Sequence, residues 1–370
     1  MAEPLRVALV LATSTGGVGT HVRSLAAHLG KLGHQVVVCG PAATEDVFHF
    51  TEVGAQFHPV NIATGLNPLH DAKAVVALRK ALNSTRAQVI HAHGYRAGLI
   101  AHLARAKKPR PVPLTVTWHN VLMATGAKHA VLARLERIVA RGANITLGAS
   151  EDLVERAIGL GAPDVRFAPV AAPLLAQPER DATQVRVELD ARDRPLVLSV
   201  GRLHPQKGFD VLVRAAARLS RRDRPPMVVI AGSGPEEDNL RLLAQELNAP
   251  VRFLGRRSDI ADLIAACDIA VVTSPWEARQ LFAQEVLQAG KPLVATAVGG
   301  IPGLVGNGAR LIPAGDVNAV EEAVAALLDD PTGAEQLAER GKAQAKTWPT
   351  EAETTAMAVA VYAELLGVPA

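Results

Sequence analysis

Short runs that are almost wholly apolar alternate with stretches whose apolar residues recur at helical spacing, and the alternation occurs twice. In the first half, Arg6–Ala12, Gln35–Cys39, Ala87–His91, Leu114–Trp118 and Ile145–Ala149 predict strands. Helical patterns fill the gaps at Thr20–Leu32, Asp71–Ala81, Tyr95–Ala104, Ala130–Arg141 and Glu151–Leu160. Strands apolar on both faces are buried on both faces, which predicts a parallel sheet with helices on each side. The pattern lapses between Ala171 and Arg194, a stretch of prolines and charges. A second series follows, with strands at Leu196–Val200, Met227–Ala231, Val251–Leu254, Ile269–Thr273, Leu293–Ala295 and Ala309–Ile312. Its helices are expected at Phe209–Ser220, Glu236–Leu247, Ile260–Ala266, Phe282–Ala289 and Val317–Leu328.

The fold class is therefore α/β, with two Rossmann-like, doubly wound domains facing each other across a cleft. The boundaries expected are a first domain at 1–175, a linker at 176–194, a second domain at 195–348 and a C-terminal helix at 349–370. That helix, Glu351–Leu366, either caps the second domain or crosses back to the first. Ligands of such sheets bind at the carboxyl ends of the strands, so the loops there carry the chemistry.

Composition narrows the classes of function. Hydrophobic residues are 49% of the 370 and charged residues 20%, enough for packed cores and too apolar for a disordered chain. Lys and Arg number 39 against 36 Asp and Glu, so the net charge is only +3. That surplus gives no nucleic-acid footprint, and aromatics at 3% leave few stacking platforms. Cys39 and Cys267 stand in apolar runs without a CxxC or Cys/His cluster, which predicts buried free thiols and no zinc. No signal peptide is expected, because no basic segment precedes Leu5–Ala12, and no run approaches the roughly 18 apolar residues of a membrane span. The expectation is a cytoplasmic protein whose membrane contacts are peripheral, at the inner face.

Two glycine-bearing loops lead from a strand into a helix. Gly16-Gly17-Val18-Gly19 allows close backbone approach, and the helix N-terminus behind it offers free N–H groups to an anion. The spacing is not that of a dinucleotide fingerprint, and no acid follows the second strand to hold a ribose. In the second series, Gly201-Arg202-Leu203-His204-Pro205-Gln206-Lys207-Gly208 adds a guanidinium fork and a mobile ammonium, a combination suited to a diphosphate. A Walker pattern is absent. Further on, Glu277 precedes a helix and Glu285 lies two turns into it, and carboxylates accept from paired sugar hydroxyls.

Together these segments resemble a retaining glycosyltransferase of family 4, with the GT-B fold. The matching text runs through nearly the whole chain: Gly16-Gly17-Val18-Gly19-Thr20-His21-Val22, Gly33-His34-Gln35-Val36, His91-Ala92-His93-Gly94, Thr117-Trp118-His119-Asn120, Gly201-Arg202 with Lys207-Gly208, Gly232-Ser233-Gly234-Pro235, Phe253-Leu254-Gly255 and the Glu277/Glu285 pair. The resemblance implies that Arg202 and Lys207 grip the donor pyrophosphate, Glu285 holds the nucleotide ribose, and Glu277 lies by the donor-sugar hydroxyls. It further implies that His119 contacts the donor sugar from the opposite domain and that Gly16 and Gly17 close over phosphate or acceptor. The implied catalytic group is Glu277, His119, Arg202 and Lys207. The implied donor-binding set adds Gly16, Gly17, Gly255, Ala278, Arg279, Gln280, Leu281 and Glu285. Also implied are a UDP- or GDP-sugar as co-substrate, front-face substitution in which the departing phosphate helps to deprotonate the acceptor, no metal or other cofactor, and a place in bacterial envelope or glycoconjugate synthesis.

Three positions depart from the family pattern. Glu277-Ala278-Arg279-Gln280 stands where the family writes Glu-Gly-Phe-Gly. Arg279 and Gln280 therefore read an uncommon sugar, mark a weakened site, or turn to solvent. Ala168-Pro169-Val170-Ala171-Ala172-Pro173 replaces Pro-Asn-Gly-Val-Asp, and Gly303 stands where a glutamate is common. For the acceptor, His70 with Asp71 and Tyr95 with Arg96 sit at strand-to-helix turns, where a structural role is the commoner one. Two basic clusters, Arg105 with Lys107, Lys108 and Arg110, and Arg134 with Arg137 and Arg141, are either solvated faces or contacts to anionic lipid, so a lipid-linked acceptor is permitted. Alternatives to transfer are a catalytically degenerate nucleotide-binding subunit or regulator, and a relative with epimerase or phosphorylase chemistry.

Overall fold

A computed structural model describes residues 3–105, 111–121, 126–171 and 175–369. The chain forms two compact units, Met1–Pro173 with Pro349–Ala370, and Leu174–Trp348.

In the first unit the described residues run β1 (Arg6–Leu11), α1 (Gly17–Lys31), β2 (Gln35–Gly40), α2 (Ala42–Phe48), β3 (Gln56–Pro59), α3 (Pro68–Ser84), β4 (Val89–His93), α4 (Tyr95–Arg105), β5 (Leu114–Trp118), α5 (Gly126–Gly142), β6 (Ile145–Gly148), α6 (Glu151–Gly159) and β7 (Val165–Phe167). The strands pair in parallel in the order β3-β2-β1-β4-β5-β6-β7. β1, β4 and β5 are buried almost throughout, as the apolar runs predict. β3 and β7 are sheet edges, short and half-exposed, and so carry no apolar run to announce them. β4 begins two residues later than the hydrophobic pattern suggests and continues to His93, because Val89–His93 pair residue for residue with Val7–Leu11 of β1. His91 thus lies opposite Thr115 of β5, and His93 opposite Thr117.

The second unit continues with α7 (Ala182–Glu188), β8 (Leu196–Val200), α8 (Phe209–Leu219), β9 (Met227–Ala231), α9 (Glu237–Glu246), β10 (Val251–Phe253), α10 (Ile260–Ala266), β11 (Ile269–Val272), α11 (Leu281–Gln288), β12 (Leu293–Thr296), α12 (Ile301–Val305), β13 (Arg310–Ile312), α13 (Val317–Asp329) and α14 (Pro331–Ala345). Its parallel sheet has the order β10-β9-β8-β11-β12-β13, with core clusters on both faces. The expected linker at 176–194 is corrected here. Asp181 caps α7, and Val185 and Leu189 are fully buried in the core of this unit. The prolines and charges of that stretch hide a seven-residue helix too short to show a period.

The last helix, α15 (Glu351–Leu366), starts on a capping box between Thr350 and Glu353. It belongs to the first unit, where Ala358, Val361 and Tyr362 join the core with α1. The Arg166 guanidinium grips Glu364 through two hydrogen bonds of 2.7 Å. The choice left open by the sequence falls to the first unit. Cys39 and Cys267 are free and buried, and burial pushes both thiols up to about 12. Among the described residues, no helix is long and apolar enough to cross a membrane.

Candidate active site

In the second unit the carboxyl ends of the strands are knitted together by backbone. Gly201 N–H donates to Ala231 O at 3.0 Å, Leu203 N–H to Ser233 O at 3.1 Å and Gly232 N–H to Gly255 O at 2.7 Å. A Cβ on Gly232 would lie 1.8 Å from Gly201 O, so only glycine lets these strand ends meet. Arg202 emerges from this ledge exposed, and among the described residues no carboxylate pairs with it. A 3₁₀ turn, Pro205–Lys207, ends at Gly208 with φ of 60°, where a Cβ would strike Thr273 O at 2.3 Å. That approach sets Lys207 beside the end of β11.

Lys207 Nζ lies 2.5 Å from Glu277 Oε1, and the Ser274 hydroxyl donates to the same oxygen at 2.8 Å. The Glu277 side chain is only 10% exposed, so the ammonium and hydroxyl compensate a carboxylate with little water of its own. Gly300 N–H holds the Glu277 carbonyl at 2.9 Å. Beyond it, Ala278 and Gln280 are buried. Gln280 Oε1 accepts from Ala283 N–H at 2.9 Å, capping the α11 helix that begins at Leu281. The Arg279 guanidinium lies 5.8 Å from the Trp348 ring centroid, and burial draws its pKa down to about 10. The solvent-facing alternative for these two side chains is thereby corrected: one caps a helix and the other covers an indole. Glu285, half-buried on α11, has its pKa raised to about 7 by burial, and among the described residues no side chain hydrogen-bonds it. A desolvated carboxylate without a partner is suited to accept from a ligand.

In the first unit, Gly16 precedes α1, and Gly17 is the first residue of that helix. A Cβ on Gly16 would meet nothing within 4 Å, whereas one on Gly19 would strike the Phe48 ring at 2.1 Å. Gly19 is therefore needed for packing, while Gly16 leaves open space before a helix N-terminus that has no acid in its first turn. His119 is not isolated. Its Nε2 is 3.1 Å from His93 Nδ1, and the His21 ring stands edge-on to both, with centroids 5.6 and 5.4 Å away. The His91 ring packs at a tilt of 31° against His93, centroids 4.2 Å apart, and its two ring nitrogens contact Tyr362 Oη and Thr117 Oγ1, each at 2.6 Å. Burial lowers all four imidazoles, His21 to about 4, His91 to about 3, and His93 and His119 well below the ordinary value. They are neutral hydrogen-bonding groups at pH 7. Sequence reasoning gave a role to His119 alone. The signal for its neighbours was the alternation of β4 and β5, which turns His91, His93 and Thr117 to one face.

Two family models match the chain, "Glycosyl transferase 4-like domain" over residues 16–173 and "Glycosyl transferases group 1" over residues 181–344. A D-inositol 3-phosphate glycosyltransferase of Corynebacterium aurimucosum is 30% identical over 356 residues, 85% of this chain and 83% of that one. The chain is a GT-B glycosyltransferase of the family 4 type. A Mycobacterium tuberculosis glycogen synthase is 29% identical over 386 residues, 92% of this glycosyltransferase and 90% of its own length. Among solved structures, Anabaena HepE in complex with UDP and glucose superposes with a TM-score of 0.82 at 20% identity, over 97% of this chain and all of that one.

Of the other residues singled out in the glycosyltransferase sequence, Asp71, Arg96 and Arg105 are structural. Arg96 is buried, pairs with Asp71 at 2.5 Å and donates to Ala63 O at 3.0 Å. Asn67 caps α3 at the His70 amide, and Tyr95 begins α4. Arg105 ties Gly142 O, Val112 O and Asn144 Oδ1 together, while Lys107, Lys108 and Arg110 lie outside the described residues, as do Ala172 and Pro173. Arg134, Arg137 and Arg141 are exposed on α5, and a Cβ on Gly303 in α12 would meet nothing within 4 Å.

Proposed function

We propose that this glycosyltransferase moves a sugar from a UDP- or GDP-sugar to an acceptor hydroxyl, with retention of anomeric configuration and without a metal ion. The observation that carries the proposal is the Lys207–Glu277 pair, which joins two strand-to-helix junctions of the second unit, with the desolvated Glu285 eight residues on within α11. Arg202 and Lys207 take the donor diphosphate, and Glu285 takes the ribose hydroxyls. Glu277 and the amides of Ala278, Arg279, Gln280 and Leu281 meet the transferred sugar, with Gly255 and the Gly16-Gly17 turn beside the nucleotide and phosphates and His119 as the first unit's contact.

The acceptor oxygen bonds to the anomeric carbon on the face from which the diphosphate leaves. The bond from that carbon to the phosphate oxygen breaks, and the acceptor proton passes to the departing diphosphate. Fixed positive charge from Arg202 and Lys207 stabilises the leaving group where a cation serves in other enzymes. The glucose and UDP held by HepE favour a uridine donor for this chain too. A role as a degenerate subunit is disfavoured by the Lys207–Glu277 pair and the unpartnered Glu285. Exposed Val131 and Ile138 among Arg134, Arg137 and Arg141 on α5 support peripheral contact with anionic lipid.

The test is a thermal-shift panel of UDP, GDP, ADP and their common sugar conjugates. A ligand at 100 times Kd stabilises the folded state by about 2.7 kcal/mol. A shift with one nucleotide family fixes the donor, and transfer in the presence of EDTA with an NMR-assigned product anomer checks metal independence and retention. No shift with any nucleotide overturns the proposal.

A further inference from the structure

The first unit holds a cavity of about 250 Å³ between α1, the β4–β6 face of the sheet, the segment following β7 and α15. Its floor is apolar, with Leu25, Leu147 and Val361 each no more than 6% exposed. At its rim, Phe167 and Met357 are 46% and 40% exposed, a high price in wetted apolar surface for two adjacent elements to leave uncovered. An apolar cavity of roughly 150 Å³ takes one benzene ring. This one therefore has room for a fused pair of rings, or one ring with a short chain.

The polar groups of the lining define the rest of the occupant. His91 uses both ring nitrogens on Tyr362 and Thr117. Arg166 is engaged by Asp164 and Glu364, and the Thr354 hydroxyl by Glu351 O. Among the described residues no uncommitted cation lines the cavity, so its described lining does not suit a phosphate. His21 is different: among the described residues nothing hydrogen-bonds its ring nitrogens. Its imidazole lines the cavity and stands edge-on to His119 at 5.6 Å. As a neutral ring, it offers one donor and one acceptor to a hydroxyl.

We infer that this cavity is an acceptor subsite for an uncharged, hydroxyl-bearing apolar body, a fused ring or a ring with a short alkyl chain, whose hydroxyl is held by His21. The inference rests on the transferase proposal for its acceptor role, and on the cavity alone for its binding role. It sets this chain apart from an enzyme whose acceptor is a phosphorylated polyol.

The probe is 2-naphthol, with UDP and GDP titrated in parallel on the full chain. The variants are Ala358→Phe, which fills the interior, and Ala360→Trp, which plugs the exposed rim without touching the core. Expected are saturable 2-naphthol binding, a loss of at least about tenfold in both variants, unchanged nucleotide binding in both, and naphthyl glycoside detected by mass with the matched nucleotide sugar. His21→Leu should weaken 2-naphthol binding and leave binding of naphthalene unchanged. If nucleotide binds but 2-naphthol does not, or if the plugged variants bind it as well as the parent, the subsite is overturned and the transferase proposal stands. If 2-naphthol binds in the cavity and no nucleotide binds, the transferase proposal falls and takes the acceptor role with it. Binding of both without transfer overturns the acceptor role alone.

Discussion

Lys207 and Glu277, 70 positions apart in sequence, share a 2.5 Å contact that neutralises a nearly buried carboxylate. Removing one partner leaves the other charge poorly solvated, while removing both does not. Lys207→Ala is expected to lower unfolding free energy by about 3 kcal/mol. The double variant Lys207→Ala/Glu277→Gln should regain on the order of 1–2 kcal/mol of that. Urea unfolding of the four-member cycle measures it, and strictly additive losses would show that the contact carries no coupling. Donor binding should follow the other logic, staying weak in the double variant because the diphosphate has lost its ammonium. Glu277→Ala, by contrast, should keep nucleotide binding and lose turnover.

Glu285 ties nucleotide affinity to pH. Burial raises its pKa from 4.5 to about 7, and a ribose diol donates best to the ionised form. Between pH 8 and pH 6 the uridine or guanosine nucleotide that binds should weaken by about tenfold as the carboxylate is protonated. Stability runs the opposite way. The folded state keeps a proton that the unfolded chain has lost above 4.5, so this group's contribution is greatest below 4.5 and falls as pH rises through about 7. Glu285→Gln should therefore unfold later than the parent at pH 8, by about 1–3 kcal/mol, and equally at pH 4. Calorimetric titration and thermal melts across this range read both effects. A nucleotide affinity that is flat with pH would remove Glu285 from the ribose site.

The α/β alternation was legible because the parallel strands are buried on both faces and so read as unbroken apolar runs. Lys207 and Glu277 were legible for another reason: they sit at strand-to-helix loops, where this fold class puts its chemistry, and Glu285 was legible from its spacing to Glu277 along the helix that follows. Properties set by tertiary contact were not. The pairing of Lys207 with Glu277 spans two loops, and neither announces the other. Gln280 as a helix cap runs against ordinary capping preference, so its sequence context pointed instead to sugar reading or solvent. β3 and β7 are half-exposed edges, and α7 is too short for its period to emerge from prolines and charges. The histidine cluster needs the registry of β4 against β5, which a hydrophobic pattern shifted by two residues conceals.

On α5, Val131, Arg134, Ile138 and Arg141 recur at three- and four-residue spacing and share one exposed face with Arg137 close by. Basic residues near an anionic surface contribute about 1 kcal/mol each. Arg134→Gln with Arg137→Gln should therefore weaken cosedimentation with phosphatidylglycerol vesicles by roughly 30-fold. Added salt should weaken the parent likewise. Equal binding to phosphatidylcholine vesicles would show that charge has no part in it.

The imidazoles of His21, His91, His93 and His119 make the first unit acid-sensitive, opposite in sign to Glu285 in the second. Desolvation holds their pKa values below the ordinary 6.5, to about 4 for His21 and about 3 for His91. As pH falls below 6.5 the unfolded chain takes up protons that the folded cluster refuses, so stability present above 6.5 is lost on acidification. Each imidazole contributes up to about 1.4 kcal/mol per pH unit in that window. A whole-chain measurement would mix this loss with the gain from Glu285, so the readout must belong to one unit. Trp118 supplies it, buried at the end of β5 in the first unit, whereas Trp276 and Trp348 lie in the second. In a Trp276→Phe/Trp348→Phe background, the urea midpoint read by Trp118 fluorescence should fall markedly from pH 7.5 to pH 5.5. A midpoint that holds steady would mean that the four rings take up protons in the folded chain as readily as in the unfolded one, and that burial does not depress their pKa values.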